Sequence, residues 1–543
     1  MRHVALLLIA AACGYPARPA GPPVADRVFG PRLPPPALID PAQPGAAYLT
    51  SIALQLEPGW GQFLDDCRIR LPGIHPLNRM TLAATAAITI DKQGRVIDVG
   101  LAVPSGNADF DRAVRDAIAD ATVLPVPPVE ALSDDDRVHL RWLFARDRRQ
   151  AGPATAELEH RELPLATTIA KFVASGELAR AARRCATAPA SAERTAAISS
   201  VMAAALREAL ASLDGSVQRA AVEAIGAARV TALAPDVRLV LAGSSDAELR
   251  ATAILAAGEL GDRAAGETIA RQLAADLGER RRLALAETTA LVQLGRTDDA
   301  SAAIAARLPA NARVPNPIVL EASAPVPLGD LVARVTGWLA HGDATTRLAA
   351  CAALAGETGA MALHALARAL DDPDASVRAS CAAAAAATPA KALAPLAAKL
   401  VALQRDRDGA VRANALVAVA LVDPAHLAAA ADDSRAEVRA AYWRALALRG
   451  GAEGAEGVDV HVGLRDVAAE VRLAAVPLAS DDALLRQLAA ADDAPEVRTA
   501  ALVALVRRAG RAGLTGPLLD AFGAARPASA DRVRIARAWL LAP

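Results

Sequence analysis

Aromatic residues are scarce in this 543-residue chain: 5 Trp, 3 Tyr and 6 Phe make up 3%, although 53% of residues are hydrophobic. The apolar content is therefore mostly Ala, Leu and Val. Such side chains suit closely packed helical pairs, because Ala loses no side-chain entropy in a helix. An excess of either charge is also missing, the formal net charge being −1. Without a concentrated basic surface the chain is not built to hold nucleic acid, and it has no polybasic anchor for lipid headgroups. The strongest basic run, Arg280-Arg281-Arg282, reads as a solvated helix face.

Catalytic signatures are lacking as well. The eight His (His3, His75, His139, His160, His341, His364, His426 and His461) are scattered, without His-Glu-x-x-His or Cys-x-x-Cys spacing. No Gly-x-Ser-x-Gly elbow or phosphate-binding Gly loop precedes a helix. His139 falls in a strand, and Asp134-Asp135-Asp136 reads as a charged loop rather than a cation site. The expectation is a chain with no catalytic, cofactor or metal residue: not an enzyme.

What the chain does have is a phrase it repeats. Asp371-Asp372-Pro373-Asp374-Ala375-Ser376-Val377-Arg378 is one copy, Asp432-Asp433-Ser434-Arg435-Ala436-Glu437-Val438-Arg439 a second, and Asp492-Asp493-Ala494-Pro495-Glu496-Val497-Arg498 a third. Each joins an acidic turn to a Val-Arg pair and runs into an Ala- and Leu-rich helix. The Arg slot recurs at Arg250, Arg347, Arg378, Arg412, Arg439, Arg472, Arg498 and Arg534, with Gln218 in the same slot upstream. From Arg347 the steps are 31, 34, 27, 33, 26 and 36 residues, a period that means stacked supersecondary units. A feature that recurs in every unit determines the fold; an active site occurs once. Asp suits the positive end of the helix it precedes. Arg is expected to pair with an Asp of its own or a neighbouring turn, as a structural ladder.

Met1-Arg2-His3 is a basic n-region and Val4 to Ala12 a nine-residue apolar stretch. Spanning a bilayer takes about 20 residues, so this is a targeting segment, residues 1–13. Ala10-Ala11-Ala12-Cys13-Gly14 resembles a bacterial lipoprotein signal, which implies lipidation at Cys13 and, with Gly14 next, outer-membrane sorting. Ala10 stands where that family prefers Leu, so ordinary cleavage after a small-residue motif is the alternative. Either route exports the protein, with a periplasmic, outer-membrane-anchored lipoprotein as the expectation. Residues 14–45, rich in Pro, form a tether in polyproline II. Of the other thiols, Cys351 and Cys381 sit in adjacent repeats about 9 Å apart and are expected to be buried and free. A Cys67–Cys185 bridge is left open, with no spacing rule behind it.

Residues 46–150 read as a small α+β module. Tyr48, Ile52, Leu56, Trp60, Phe63 and Leu64 form a helical stripe interrupted at Pro58-Gly59. Ala84, Ala86, Ile88 and Ile90 alternate as a strand, Asp91 to Arg95 turn, and Ile97, Val99, Leu101 and Val103 return. Phe110, Ala113, Val114, Ala117 and Ile118 follow at helical spacing, and Val138, Leu140, Trp142 and Phe144 as a last strand. The run Ile90 to Val99, with Ser105-Gly106-Asn107 and Leu124-Pro125-Val126-Pro127-Pro128, resembles the C-terminal domain of TonB and TolA proteins. That resemblance implies binding of short envelope-protein segments, often by strand addition at a sheet edge. No inner-membrane helix that would couple to a proton-driven motor is present in the sequence, which speaks against energy transduction.

Leu163, Leu165, Ile169, Phe172 and Val173 start a helical entry or cap over 151–199. From 200 to 543 the repeats resemble HEAT repeats, carried by the Asp turn, the Val-Arg pair and the spaced Ala and Leu. Residues 309–330, with five Pro, and Gly450-Gly451-Ala452-Glu453-Gly454 are expected loose points, and Tyr442-Trp443 reads as core filling or a surface hot spot. The fold class expected is thus multidomain, a small α+β domain plus an all-α solenoid with a long concave face. The functional expectation is a non-catalytic adaptor with cell-envelope protein partners and no small-molecule substrate. The alternatives are an accessory part of a TonB- or Tol-type transport system and, by analogy, a HEAT-like pigment lyase.

Overall fold

The structure is a computed structural model that describes residues 39–40, 45–121, 123–309, 313–450 and 456–542. The expected targeting segment, Cys13 and nearly all of the Pro-rich stretch lie outside the described residues. The chain forms two compact units, Met1–Thr168 and Ile169–Pro543.

In the first unit the apolar stripe from Tyr48 to Leu64 becomes α1, Ala46–Arg70. The expected break at Pro58-Gly59 does not occur, and Pro58 sits inside the helix. Proline forfeits one helical hydrogen bond, but Leu54, Pro58 and Gly59 are all on the exposed face, where water reaches the freed carbonyl. The alternating residues become β1, Ala83–Asp91, and β2, Val96–Val103, joined by the turn at Gly94. Asn107 caps α2, Ala108–Asp120, its side chain accepting from Asp109 N and Phe110 N. β3, Arg137–Ala145, pairs with β1 on the side away from β2. One face of the sheet packs against both helices, with Trp60 edge-on to Phe110 and Phe144 at 5.2 and 5.0 Å.

A fourth strand, β4 (Glu157–Glu159), completes the order β2-β1-β3-β4. Its composition hides it, since two of its three residues are charged, but Leu158 pairs with Leu140. This carries the unit past 150. The acidic triplet is spent locally: Asp134 accepts from Leu163 N at 2.9 Å, and Asp135 meets buried His139 at 2.9 Å. His139 is a core residue, and no cluster of His, Cys, Asp and Glu among the described residues could hold a metal ion.

The second unit is all-helical. Helices Gly215–Ala227, Ala247–Leu260, Arg281–Gln293, Pro317–Ala322 and Ala344–Ala353 lie side by side, and Ala375–Ala386, Gly409–Val422, Ala436–Leu448 and Ala469–Ala475 continue the row. Small residues permit the close stacking. A Cβ on Gly258 would come within 2.9 Å of the Ala290 Cα. The Pro-rich stretch shortens one member to the six residues Pro317–Ala322, and Gly450 follows the end of another. Tyr442 and Trp443 are both buried, at the centre of a cluster that includes Leu446, Val471 and Leu485.

Cys351 and Cys381 are joined in a disulfide, correcting the expectation of free thiols. The roughly 9 Å between neighbouring helices is measured axis to axis, whereas each Cα stands about 2.3 Å off its axis. Two facing cysteines therefore come within bridging range, and their Cα atoms are 4.8 Å apart. Cys67 and Cys185 are each buried and free, so no bridge joins them.

The solenoid also closes on itself. The C-terminal helix Ala530–Leu540 packs against Ala192–Leu210 and Gly215–Ala227, and Pro495–Ala524, broken at Gly510, packs against Leu178–Thr187. Trp539 Nε1 donates to Ser199 Oγ at 3.1 Å and Arg532 meets Glu208 at 3.1 Å. The entry helices expected to cap one end are instead covered by the other end. The small rotation added by each unit has brought the array back to its start.

Candidate protein-binding surfaces

β2 is the outermost full-length strand of the sheet. Its outer side is engaged only near its start, where Arg95 bridges Val123 and Leu124 N donates to Gly94 O at 2.8 Å. From Ile97 to Val103 the outward backbone groups have no hydrogen-bond partner among the described residues. Register shifts at Ile97 and Ala102 put a bulge at each end of this stretch, which protects an edge from indiscriminate pairing. Ile97 and Val103 are exposed. The opposite edge, along β3, is already filled by β4 over His139–Arg141.

In the helical unit the repeated Arg and Asp build a regular arrangement. Arg347 meets Asp372, Arg378 meets Asp406, Arg412 meets Asp433, Arg439 meets Asp466 and Arg472 meets Asp492, each through both guanidinium Nε and Nη2 at 2.7 to 3.0 Å. Each Asp does more. Its carbonyl accepts from the Arg six residues later, as Asp433 O does from Arg439 Nη1 at 2.9 Å. Its Oδ1 takes the N–H two residues on, as in Asp466 with Ala468. One residue thus fixes its own turn and ties it to the unit before. Arg250 lies farther from its carboxylate, 4.0 Å from Asp276. Among the described residues Arg498 bonds only the carbonyls of Asp492 and Asp493.

Near Arg250 two carboxylates share one environment. Glu287 is fully buried, and among the described residues neither of its oxygens, nor Asp276 Oδ2, has a donor. Burial first, and then the neighbouring Asp276 charge, push the Glu287 carboxyl up to about 9. A proton held on Glu287 supplies the missing donor.

A cavity of about 820 Å³ lies where the ring closes, between Gly215–Ala227 and the last helices, with Arg498, Arg507, Arg534 and Arg537 on its walls. The sequence named Arg498 only as a structural residue, and it singled out neither Arg507 nor the cavity, which exists only because residues far apart in the chain meet.

Residues 68–141, from the end of α1 to the middle of β3, match the family described as TonB C terminal. No curated protein matches the chain. Among solved structures, the chain is similar to an engineered protein, at 18% identity over 58% of this chain and 98% of that one, with a TM-score of 0.26. It is also similar to human deoxyhypusine hydroxylase in complex with glycerol, at 19% identity over 52% of this chain and 98% of that one, with a TM-score of 0.25. At those scores neither likeness carries a functional argument. The chain has a TonB C-terminal domain followed by an all-helical array, and that domain supports a TonB- or Tol-type role in the cell envelope. No helix among the described residues is long and apolar enough to cross a membrane.

Proposed function

We propose that this chain is a non-catalytic adaptor of the cell envelope that holds protein partners, the α+β unit by strand addition at β2 and the helical ring at a second surface. The observation that carries this reading is the TonB C-terminal match over a sheet whose outermost long strand offers unbonded backbone groups. An incoming extended segment gains main-chain hydrogen bonds there, and the adjacent side chains set its identity. Cys13, acylated, anchors the chain at the outer membrane. A second reading, favoured by the same match, makes the chain an accessory of a TonB- or Tol-type transport system whose motor link is supplied by another protein.

The test is crosslinking in intact cells from a photoreactive residue at Gly100, mid-way along β2. Capture of one envelope protein, lost when Asp98, two residues away in the same strand, is also replaced by Pro, is the expected result. Capture of inner-membrane motor subunits or receptor segments selects the accessory reading. Equal capture from Gly100 and from an exposed position on α2 rejects strand addition. In the same cells Cys13→Ser is expected to move the protein from the membrane to the soluble periplasmic fraction, and unchanged partition rejects the lipid anchor.

A further inference from the structure

The ladder has a rung with one side only. In five consecutive units the residue six places before the ladder Arg is Asp: Asp372, Asp406, Asp433, Asp466 and Asp492. Each carboxylate receives the guanidinium of the unit before it. Six places before Arg534 stands Ala528, in a left-handed conformation at φ 47°. The unit after Arg498 therefore offers it no carboxylate. Arg498 is still held as its equivalents are, Nη1 bonded to the carbonyls of Asp492 and Asp493 at 2.5 and 3.2 Å. Its Nε and Nη2, the edge that grips Asp in the other units, have no partner among the described residues.

That residue lines the 820 Å³ cavity at the seam. The remaining charges of the wall are mostly accounted for. Arg508 meets Asp482 at 2.9 Å, Arg534 meets Asp531 at 3.1 Å and Arg537 lies 3.8 Å from Glu223. Among the described residues Arg498 and exposed Arg507 have no carboxylate within 4 Å, and of the lining acids Glu496 alone has no cation. Between the charges the wall is apolar, with Leu473, Val476, Val503 and Leu541. A preorganised guanidinium fork is matched in geometry to a carboxylate. The cavity far exceeds a single ion and is of the size that encloses a ligand with apolar bulk.

We propose that the seam cavity docks an acidic peptide segment of a partner protein, whose Asp side chain completes the sixth rung on the Arg498 fork while Arg507 attracts a second carboxylate. Five internal copies show what that fork accepts, an Asp held at the start of a turn. The proposal rests on the adaptor reading and gives the ring's partner a chemistry.

The experiment is calorimetric titration of the full exported chain with acetyl-Ala-Val-Asp-Asp-Pro-Ala-Val-amide and with its twin carrying Asn in place of both Asp. The Asp peptide is expected to bind at least tenfold more tightly than the twin. Arg498→Lys keeps the charge but loses the fork, and Arg507→Ala alters an exposed side chain, so both variants should fold. Each is expected to weaken the Asp peptide by fivefold or more without moving the melting temperature by more than a degree or two. No binding of the Asp peptide, equal binding of the twin, or unchanged affinity in both variants overturns the proposal. So does displacement by succinate or inorganic phosphate as effective, mole for mole, as by the peptide, which marks a site for free anions. The Gly100 crosslink is independent of the cavity, so its loss with retained peptide binding sinks only the strand-addition reading, and the converse only this one.

Discussion

Arg439 lies edge-on to Asp466, Nε to Oδ2 at 2.7 Å and Nη2 to Oδ1 at 2.8 Å, while its third nitrogen binds the Asp433 carbonyl of its own turn at 2.9 Å. The side chain thus joins two turns 33 residues apart in ladder register and holds the second helix of one unit against the next.

Removing that tie should cost stability rather than an activity. Arg439→Ala leaves the Asp466 carboxylate, which is largely buried, without its partner. A hydrogen bond to a charged group contributes about 1.5–3 kcal/mol, so a loss of about 2 kcal/mol is expected in chemical denaturation. The effect has a pH signature. The Arg439 hydrogen bond is the largest influence on the Asp466 carboxyl, and it holds that group below its ordinary 3.8. A depressed carboxyl contributes stability above its unfolded value and loses it as pH falls through the folded one. The gap between variant and wild type should therefore be constant from pH 5 to 8 and shrink below about pH 4. A gap that widens in acid would contradict the pairing.

Glu287 should act in the opposite sense. Its carboxyl is raised from 4.5 to about 9 by burial and by Asp276, so the folded chain keeps a proton that the unfolded chain releases. Stability from this group is full below about 4.5, falls as pH rises, and levels off above 9. Glu287→Gln cannot release a proton and removes that slope. Gain of about 4 kcal/mol at pH 7.5, with little change at pH 4.5, is expected from paired denaturation curves. Equal stability of both proteins at every pH would show that Glu287 is not held neutral.

The disulfide closes a loop of 30 residues. Cross-links of that span contribute about 3 kcal/mol, chiefly by restricting the unfolded chain. Cys351→Ser with Cys381→Ser should lower stability by that order, and reduction of the wild type should reproduce it. Peptide mapping without reductant should find residues 351 and 381 in one linked fragment, and finding both alkylated in the unreduced purified protein would refute the bridge.

Closure of the ring is tested at Trp539, which is buried and donates to Ser199. Trp539→Ala should cost about 3–5 kcal/mol in the helical unit. Amide exchange should rise in Ala192–Leu210 as well as at the C-terminus. Faster exchange confined to the last helix would mean that the ends do not support each other.

Much of this fold is legible from local spacing. The Asp and Arg six residues apart, the alternation from Ala84 to Ile90, and the stripe from Phe110 to Ile118 each declare themselves within a dozen residues. What was missed depends on surroundings. Pro58 stays helical because its freed carbonyl faces water, and β4 forms because Leu158 finds Leu140 despite two flanking Glu. Cys351 and Cys381 bridge because facing Cα atoms approach more closely than helix axes do. The contact of Ser199 with Trp539 spans 340 residues and leaves no periodic trace. The candidate cavity falls between the two cases. Ala528 is visible as a gap in the register, but the gap acquires meaning only when Arg498 is found on the wall of a cavity.

An open stack can gain or lose a unit and merely change length. Once the first and last helices are neighbours, the count is locked: each unit contributes a fixed share of the turn, and one more or one fewer would leave a step where Trp539 now meets Ser199. Duplicating a single unit would therefore disturb the closure as well as the length. Units can still differ in sequence within that fixed number, as Ala528 differs from the Asp of its register.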